Sequence, residues 1–300
     1  MTIWTPPDDW ARRVALPGLD AFALVTGGGR DVVLLHGWPE YCGVWRRLIP
    51  ELAGTCRLIA PDLRDFGSSV SHAGPGAVPV TPALLAADLL ALMDALGCDR
   101  PVIVSHDIGA FVAQHLARSM PERVAALVFF DCPHPAIGAR YGATDHAIET
   151  WYQHFQRLPL AEALVGHSAE TCRLYLDHFL GHLAGDRAAF AGVLDEWVAV
   201  YMQPGRLKGA FAWYEAVWPQ RKAMIDGTLP APAPIAQPTR ILWGLDDPVT
   251  PFRWSDRLAA NFADFTLTGV PHAGHFPHWQ QPALIAREIR AFLAALPRAA

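Results

Sequence analysis

The chemistry available to this chain starts with a carboxylate on a sharp turn. Asp107 follows the apolar run Val102-Ile103-Val104-Ser105-His106, which reads as a buried parallel strand, and precedes Ile108-Gly109-Ala110-Phe111-Val112-Ala113, which opens a helix. A strand, a tight turn and a helix lift the central residue above the sheet with its side chain exposed. A serine there would attack an acyl carbon. A carboxylate attacks most usefully at a saturated carbon with a strained or good leaving group, giving an alkyl ester that water must then cleave. Epoxides and haloalkanes fit that description. Asp is also a favoured helix N-cap, so this position by itself admits a purely structural use.

The elements that would position such a residue alternate. Ala21 to Thr26 and Val32 to His36 read as strands joined by a Gly27-Gly28-Gly29 hairpin turn, and Arg57 to Ala60, Val102 to Ser105, Val124 to Phe130, Arg240 to Trp243 and Phe265 to Thr268 follow. Helical patterns lie between several of them, at Ala83 to Leu96, Ser255 to Phe262 and Ala283 to Leu296. Strand and helix in alternation predict a mostly parallel sheet covered on both faces. The glycine triplet is no nucleotide loop, because a strand follows it. From about Ile137 to about Gln220 the strand patterns stop and aromatic helical segments replace them. Leu229-Pro230-Ala231-Pro232-Ala233-Pro234 then reads as a linker back to the sheet. The division expected is a core over residues 1–136 and 226–300 with an inserted helical cap over 137–225.

Composition excludes more than it selects. The chain has 300 residues, 52% hydrophobic and 18% charged, which fits one large globular domain or one domain with an insertion. A net charge of -5 without basic clusters argues against nucleic acid as a partner. The segment Met1 to Asp9 lacks a basic start and an apolar centre, and no stretch is long and apolar enough to span a membrane. The five cysteines are scattered and free of C-x-x-C spacing, so a reduced cytoplasmic setting is expected. The expected partner is a small molecule; oligomeric state stays open, a homodimer included.

Five motifs in order carry a resemblance over nearly the whole chain. They are His36-Gly37-Trp38-Pro39-Glu40, Pro61-Asp62-Leu63-Arg64-Asp65-Phe66-Gly67-Ser68-Ser69, the turn at Asp107, Gly244-Leu245-Asp246-Asp247-Pro248, and Gly274-His275-Phe276. Together the chain resembles the α/β-hydrolase superfamily, and within it the branch of epoxide hydrolases and haloalkane dehalogenases that uses an aspartate nucleophile. The chain departs from that pattern at Asp65 and Ser105, where glycine is usual.

The resemblance implies an α/β-hydrolase fold and a role for each motif. His275 is the base that activates water, suited by an imidazole pKa near neutrality. Its neighbours His272 and His278 could suggest a metal, but the loop supplies no carboxylate or cysteine at a ligand spacing, so no metal and no cofactor are expected. Asp247 holds the histidine, with Asp131, after Val128-Phe129-Phe130, as the alternative acid. The N–H groups of Ile108 and Trp38 form the oxyanion hole, beside a cis bond before Pro39.

In the cap, Tyr214 maps onto one of the family's two ring-opening tyrosines. The second position, four residues before Phe155 of Phe155-Gln156, is Trp151, whose indole can donate a hydrogen bond. Tyr152, next in the helix, is expected to point about 100° away. The cap segment is rich in Trp, Tyr, Phe and Leu and poor in clustered charge, which suggests an apolar or aromatic epoxide substrate. A dehalogenase is the nearer rival, weakened because Ile108 and Phe111 occupy places where halide or carboxylate donors are usual. A non-catalytic binding protein on the same fold is a further alternative.

Overall fold

A computed structural model describes residues 3–297, so Met1 and Thr2 of the N-terminal segment lie outside it, as do residues 298–300. The described strands are β1 (Ala11–Leu16), β2 (Leu19–Gly27), β3 (Arg30–Leu35), β4 (Cys56–Pro61), β5 (Val70–Ser71), β6 (Val102–His106), β7 (Ala126–Phe130), β8 (Thr239–Gly244) and β9 (Phe265–Val270). They form one sheet in the order β1-β2-β4-β3-β6-β7-β8-β9, with β5 pairing beside β2. From β4 to β9 the neighbours run parallel, and only the β1, β2, β5 side is antiparallel. All of β6 and β7 is buried, as expected of central parallel strands whose two faces carry helices. The chain therefore has the α/β-hydrolase architecture.

The glycine triplet is not the hairpin turn that its sequence suggests. β2 and β3 do not pair; β4 lies between them, antiparallel to β2 and parallel to β3. The turn crosses the start of β4 at backbone contact, and a Cβ on Gly27 would lie 2.1 Å from the Cys56 carbonyl oxygen. A strand arriving later in the chain leaves no mark on the local turn sequence.

Helix Pro82–Ala95 begins where expected, its Thr81 side chain accepting the Leu84 N–H with Pro82 in the first turn. Between β7 and β8 the described residues form helices and no named strand, the main helices being Ala147–Phe155, Pro159–Val165, Ala169–Leu183, Leu194–Tyr201 and Arg206–Ile225. These lie over the carboxyl ends of the parallel strands. The Trp197 indole donates to the Pro39 carbonyl at 2.8 Å, the Tyr201 hydroxyl to the Glu40 carbonyl at 3.0 Å, and the His275 N–H to the Leu183 carbonyl at 2.8 Å. All five cysteines are buried free thiols. No helix among the described residues is long and apolar enough to cross a membrane.

Candidate active site

The five motifs converge because each follows a parallel strand at its carboxyl end, the edge where open α/β sheets place ligands. Asp107 sits between β6 and helix Ile108–Ser119 with φ 45° and ψ −111°, a strained backbone for a residue with a Cβ. Its side chain makes no capping hydrogen bond to that helix, so the structural use open to an N-terminal Asp is not taken. Instead its Oδ1 accepts the Trp38 N–H at 2.8 Å, beside the cis Trp38–Pro39 bond. Gly37 makes this approach possible: a Cβ there would lie 2.3 Å from the Asp107 Cβ. The Ile108 N–H opens the helix next to the carboxylate.

His275 approaches from the loop after β9, its Nε2 4.0 Å from Asp107 Oδ2. On the other side of the ring, Nδ1 is 2.8 Å from Asp247 Oδ2. Asp247 is anchored in turn by the Val249 N–H at 2.7 Å and the Thr250 hydroxyl at 2.6 Å. Burial disfavours an imidazolium, but the charge and hydrogen bond of Asp247, with the charges of Asp131 and then Asp107 beyond, outweigh it and raise the His275 pKa to about 10.

Asp131 is also here, at the end of β7, but with a different partner. It accepts the Gly244 N–H at 2.7 Å, and its second oxygen is buried without one. Burial first, then the adjacent charge of Asp247, push its pKa well above the carboxylate range. The structure thus puts Asp247 against the His275 ring nitrogen and leaves Asp131 behind it.

The three histidines of the last motif diverge. His272 is exposed. His278, which sequence reading sets aside, is buried and pairs with Glu40, its Nε2 2.7 Å from Oε1. The other oxygen of Glu40 accepts the Gly37 N–H at 2.8 Å and lies 2.9 Å from Nδ1 of His106. One buried carboxylate therefore joins the loop after β3, the residue before Asp107 and the loop that carries His275. Burial opposes the Glu40 charge, but the two imidazoles lower its pKa well below the ordinary range. Sequence reasoning missed Glu40 and His278 as positioning residues. The available signal was an acidic residue inside an otherwise apolar segment, His36 to Trp45.

Among the helices between β7 and β8, Tyr214, on helix Arg206–Ile225, is 3% exposed, and its ring centroid is 5.7 Å from that of Tyr152. Burial, and then nearby charges that include Asp107, hold both phenols protonated. Trp151 does not join them. It is 38% exposed and packs on Phe155 and Phe179 at the rim. Helix Ala147–Phe155 turns Ile148 and Trp151 outward together, three residues apart, and turns Tyr152, Gln153 and Gln156 inward. Counting back from Phe155 selects the neighbour on the wrong face. Tyr152, one position on, is the residue that reaches Tyr214.

Of the two departures from the family pattern, Asp65 adopts φ 64° and accepts the Ser71 N–H at 2.9 Å, and Ser105 is buried with its hydroxyl toward the Val128 carbonyl. Neither enters the site.

Residues 32–282 match the model of the alpha/beta hydrolase fold family. Mouse epoxide hydrolase 4 is 27% identical over 284 residues, covering 91% of this chain and 76% of the relative. The crystal structure of Cfl2 from Burkholderia cenocepacia superposes with a TM-score of 0.80 at 28% identity over 94% of this chain and 95% of that one. The epoxide hydrolase CorEH superposes with a TM-score of 0.82 at 25% identity, covering 95% and 98%.

Proposed function

The chain belongs to the alpha/beta hydrolase fold family, and from that premise we propose that it is a cofactor-independent epoxide hydrolase working through an ester on Asp107. The observation that carries this reading is the pair of buried phenols, Tyr152 and Tyr214, placed within the electrostatic reach of Asp107. A phenol is a hydrogen-bond and proton donor suited to the alkoxide that leaves when an oxirane opens.

An oxygen of Asp107 attacks one oxirane carbon. The carbon–oxygen bond breaks, its electron pair passes to the ring oxygen, and a phenol supplies a proton. The nucleophile is now a neutral ester, so one of the charges that sustained the His275 imidazolium is gone and its pKa falls. The proton it releases returns to the phenolate and restores the phenol. Neutral His275, held by Asp247, then deprotonates water, which attacks the ester carbonyl. The Trp38 and Ile108 N–H groups receive the oxyanion; on collapse the ester carbon–oxygen bond breaks, the departing alkoxide takes the proton of the acid so formed, and the vicinal diol leaves with the Asp107 carboxylate and the His275 imidazolium restored. In this reading residues 137–225 are a cap over the core formed by 1–136 and 226–300. The Trp38 ring, in edge contact with those of Phe179, Tyr201 and Phe211, favours an apolar or aromatic epoxide.

One observation favours a second reading. The Trp38 indole N–H is buried without a partner, which a departing halide could use. The variant His275→Gln separates the two, because removing the base strands the ester. Exposed to styrene oxide, it should gain the mass of the whole epoxide on the Asp107 peptide. A gain of an alkyl group alone after exposure to 1-bromobutane would assign dehalogenation instead. No adduct from either, and no turnover by the unaltered chain, would favour a binding protein.

A further inference from the structure

A cavity of about 630 Å³ lies at the junction of cap and core, behind the helix that follows Asp107, and its wall contains none of Asp107, His275, Tyr152 or Tyr214. That volume falls within the range of ordinary small-molecule sites. Phe111, Ile137, Val217 and Met224 supply an apolar lining, and two guanidinium groups, Arg118 and Arg221, face the same space. The wall holds no Asp or Glu among the described residues.

The two arginines differ in how they are held. Arg118 is occupied by neutral acceptors, the Ala233 carbonyl at 3.0 Å and the Asn261 side chain at 2.6 Å, so it contributes field more than free donors. Arg221 is 9% exposed and, among the described residues, has no carboxylate partner. Its guanidinium lies 5.0 Å from the ring centroid of Tyr141 and donates to the Gln153 side chain, leaving most of its five N–H groups uncommitted. Burying an arginine without a counter-ion is costly, and a bound anion would offset that cost. A carboxylate matches the planar fork in two parallel hydrogen bonds.

We propose that this cavity is a binding site for a small amphiphilic carboxylate, its anionic head on Arg221 and its apolar body against Phe111, Ile137, Val217 and Met224. The site is distinct from the one over Asp107, and its existence does not depend on which reaction occurs there.

The probes are octanoate and octan-1-ol, titrated calorimetrically into the full chain. Octanoate should bind at least about tenfold more tightly, the difference expected of one charge-assisted contact. Arg221→Gln should abolish that preference, Arg221→Lys should retain part of it, and Ile137→Trp, which fills the cavity, should weaken both ligands by about tenfold or more. Far-ultraviolet circular dichroism checks that each variant is folded, and Ile137→Trp tests the site should Arg221→Gln fail to fold. Asp107→Asn separates this cavity from the neighbouring site. Removing a negative charge there would strengthen an acid bound over Asp107, whereas an acid bound on Arg221 should be held unchanged. Equal affinity for acid and alcohol, a preference that survives Arg221→Gln, or tighter octanoate binding by Asp107→Asn would each overturn the proposal.

Discussion

On the floor of the site, Asp107 is held by the Trp38 N–H at 2.8 Å and His275 by Asp247 at 2.8 Å, with Thr250 on Asp247 at 2.6 Å, whereas across from them Tyr152 and Tyr214 pack against each other and Tyr152 against Phe179. Directional bonds between specific polar groups tolerate few substitutes. Ring packing accepts any aromatic of similar size and leaves its direction to the helix that carries it. The floor should therefore fail sharply when one partner changes, and the cap should fail by degrees.

The largest expected effect tests the floor. Asp247→Asn removes the charge that orients His275 and should lower kcat by about 10⁴, while Asp131→Asn, which leaves the contact between Asp247 and His275 in place, should cost about tenfold or less. Equal losses in the two variants would mean that the acids share the role.

Glu40→Gln should destabilise the fold by about 3 kcal/mol in urea titrations, because three loops lose a common buried anion. The same titrations repeated against pH carry two signs. The Glu40 pKa is lowered in the folded chain, so its contribution is present above the ordinary carboxylate range and lost as pH falls through the folded value. The His275 pKa is raised from 6.5 to about 10, so its contribution is complete below about 6.5 and is lost as pH rises through 10. Stability that climbs from pH 7 to pH 10 would contradict the His275 assignment.

For the cap, Tyr214→Phe and Tyr152→Phe should each slow ring opening by about 10², and the double variant by more than either. Stopped-flow tryptophan fluorescence reads that step directly. The smallest effect is reserved for Trp151→Phe, which should change turnover and stability by no more than about 0.5 kcal/mol, as for other rim positions. A loss as large as that of Tyr152→Phe would return the donor role to Trp151.

The same contrast explains what could be read in the sequence. Turns that carry a nucleophile, a base or an oxyanion donor need particular residues at fixed offsets, so Asp107, His275, Asp247 and Trp38 stand out in a single chain. The alternation of apolar runs with helical patterns likewise indicates the parallel sheet. What escaped depends on contacts between distant segments. Nothing near Gly27 reports that β4 will enter between β2 and β3. Glu40 and His278 are 238 positions apart and become partners only when the sheet closes. The offset from Phe155 selects Trp151 over Tyr152, and only the inward face of helix Ala147–Phe155, shared with Gln153, reverses that order.

The Glu40 junction also ties distant loops to one another. Its three arms lie at Gly37, His106 and His278. Two of them adjoin the loops that carry Asp107 and His275, so a change in the buried carboxylate should be felt at both residues together, although it touches neither.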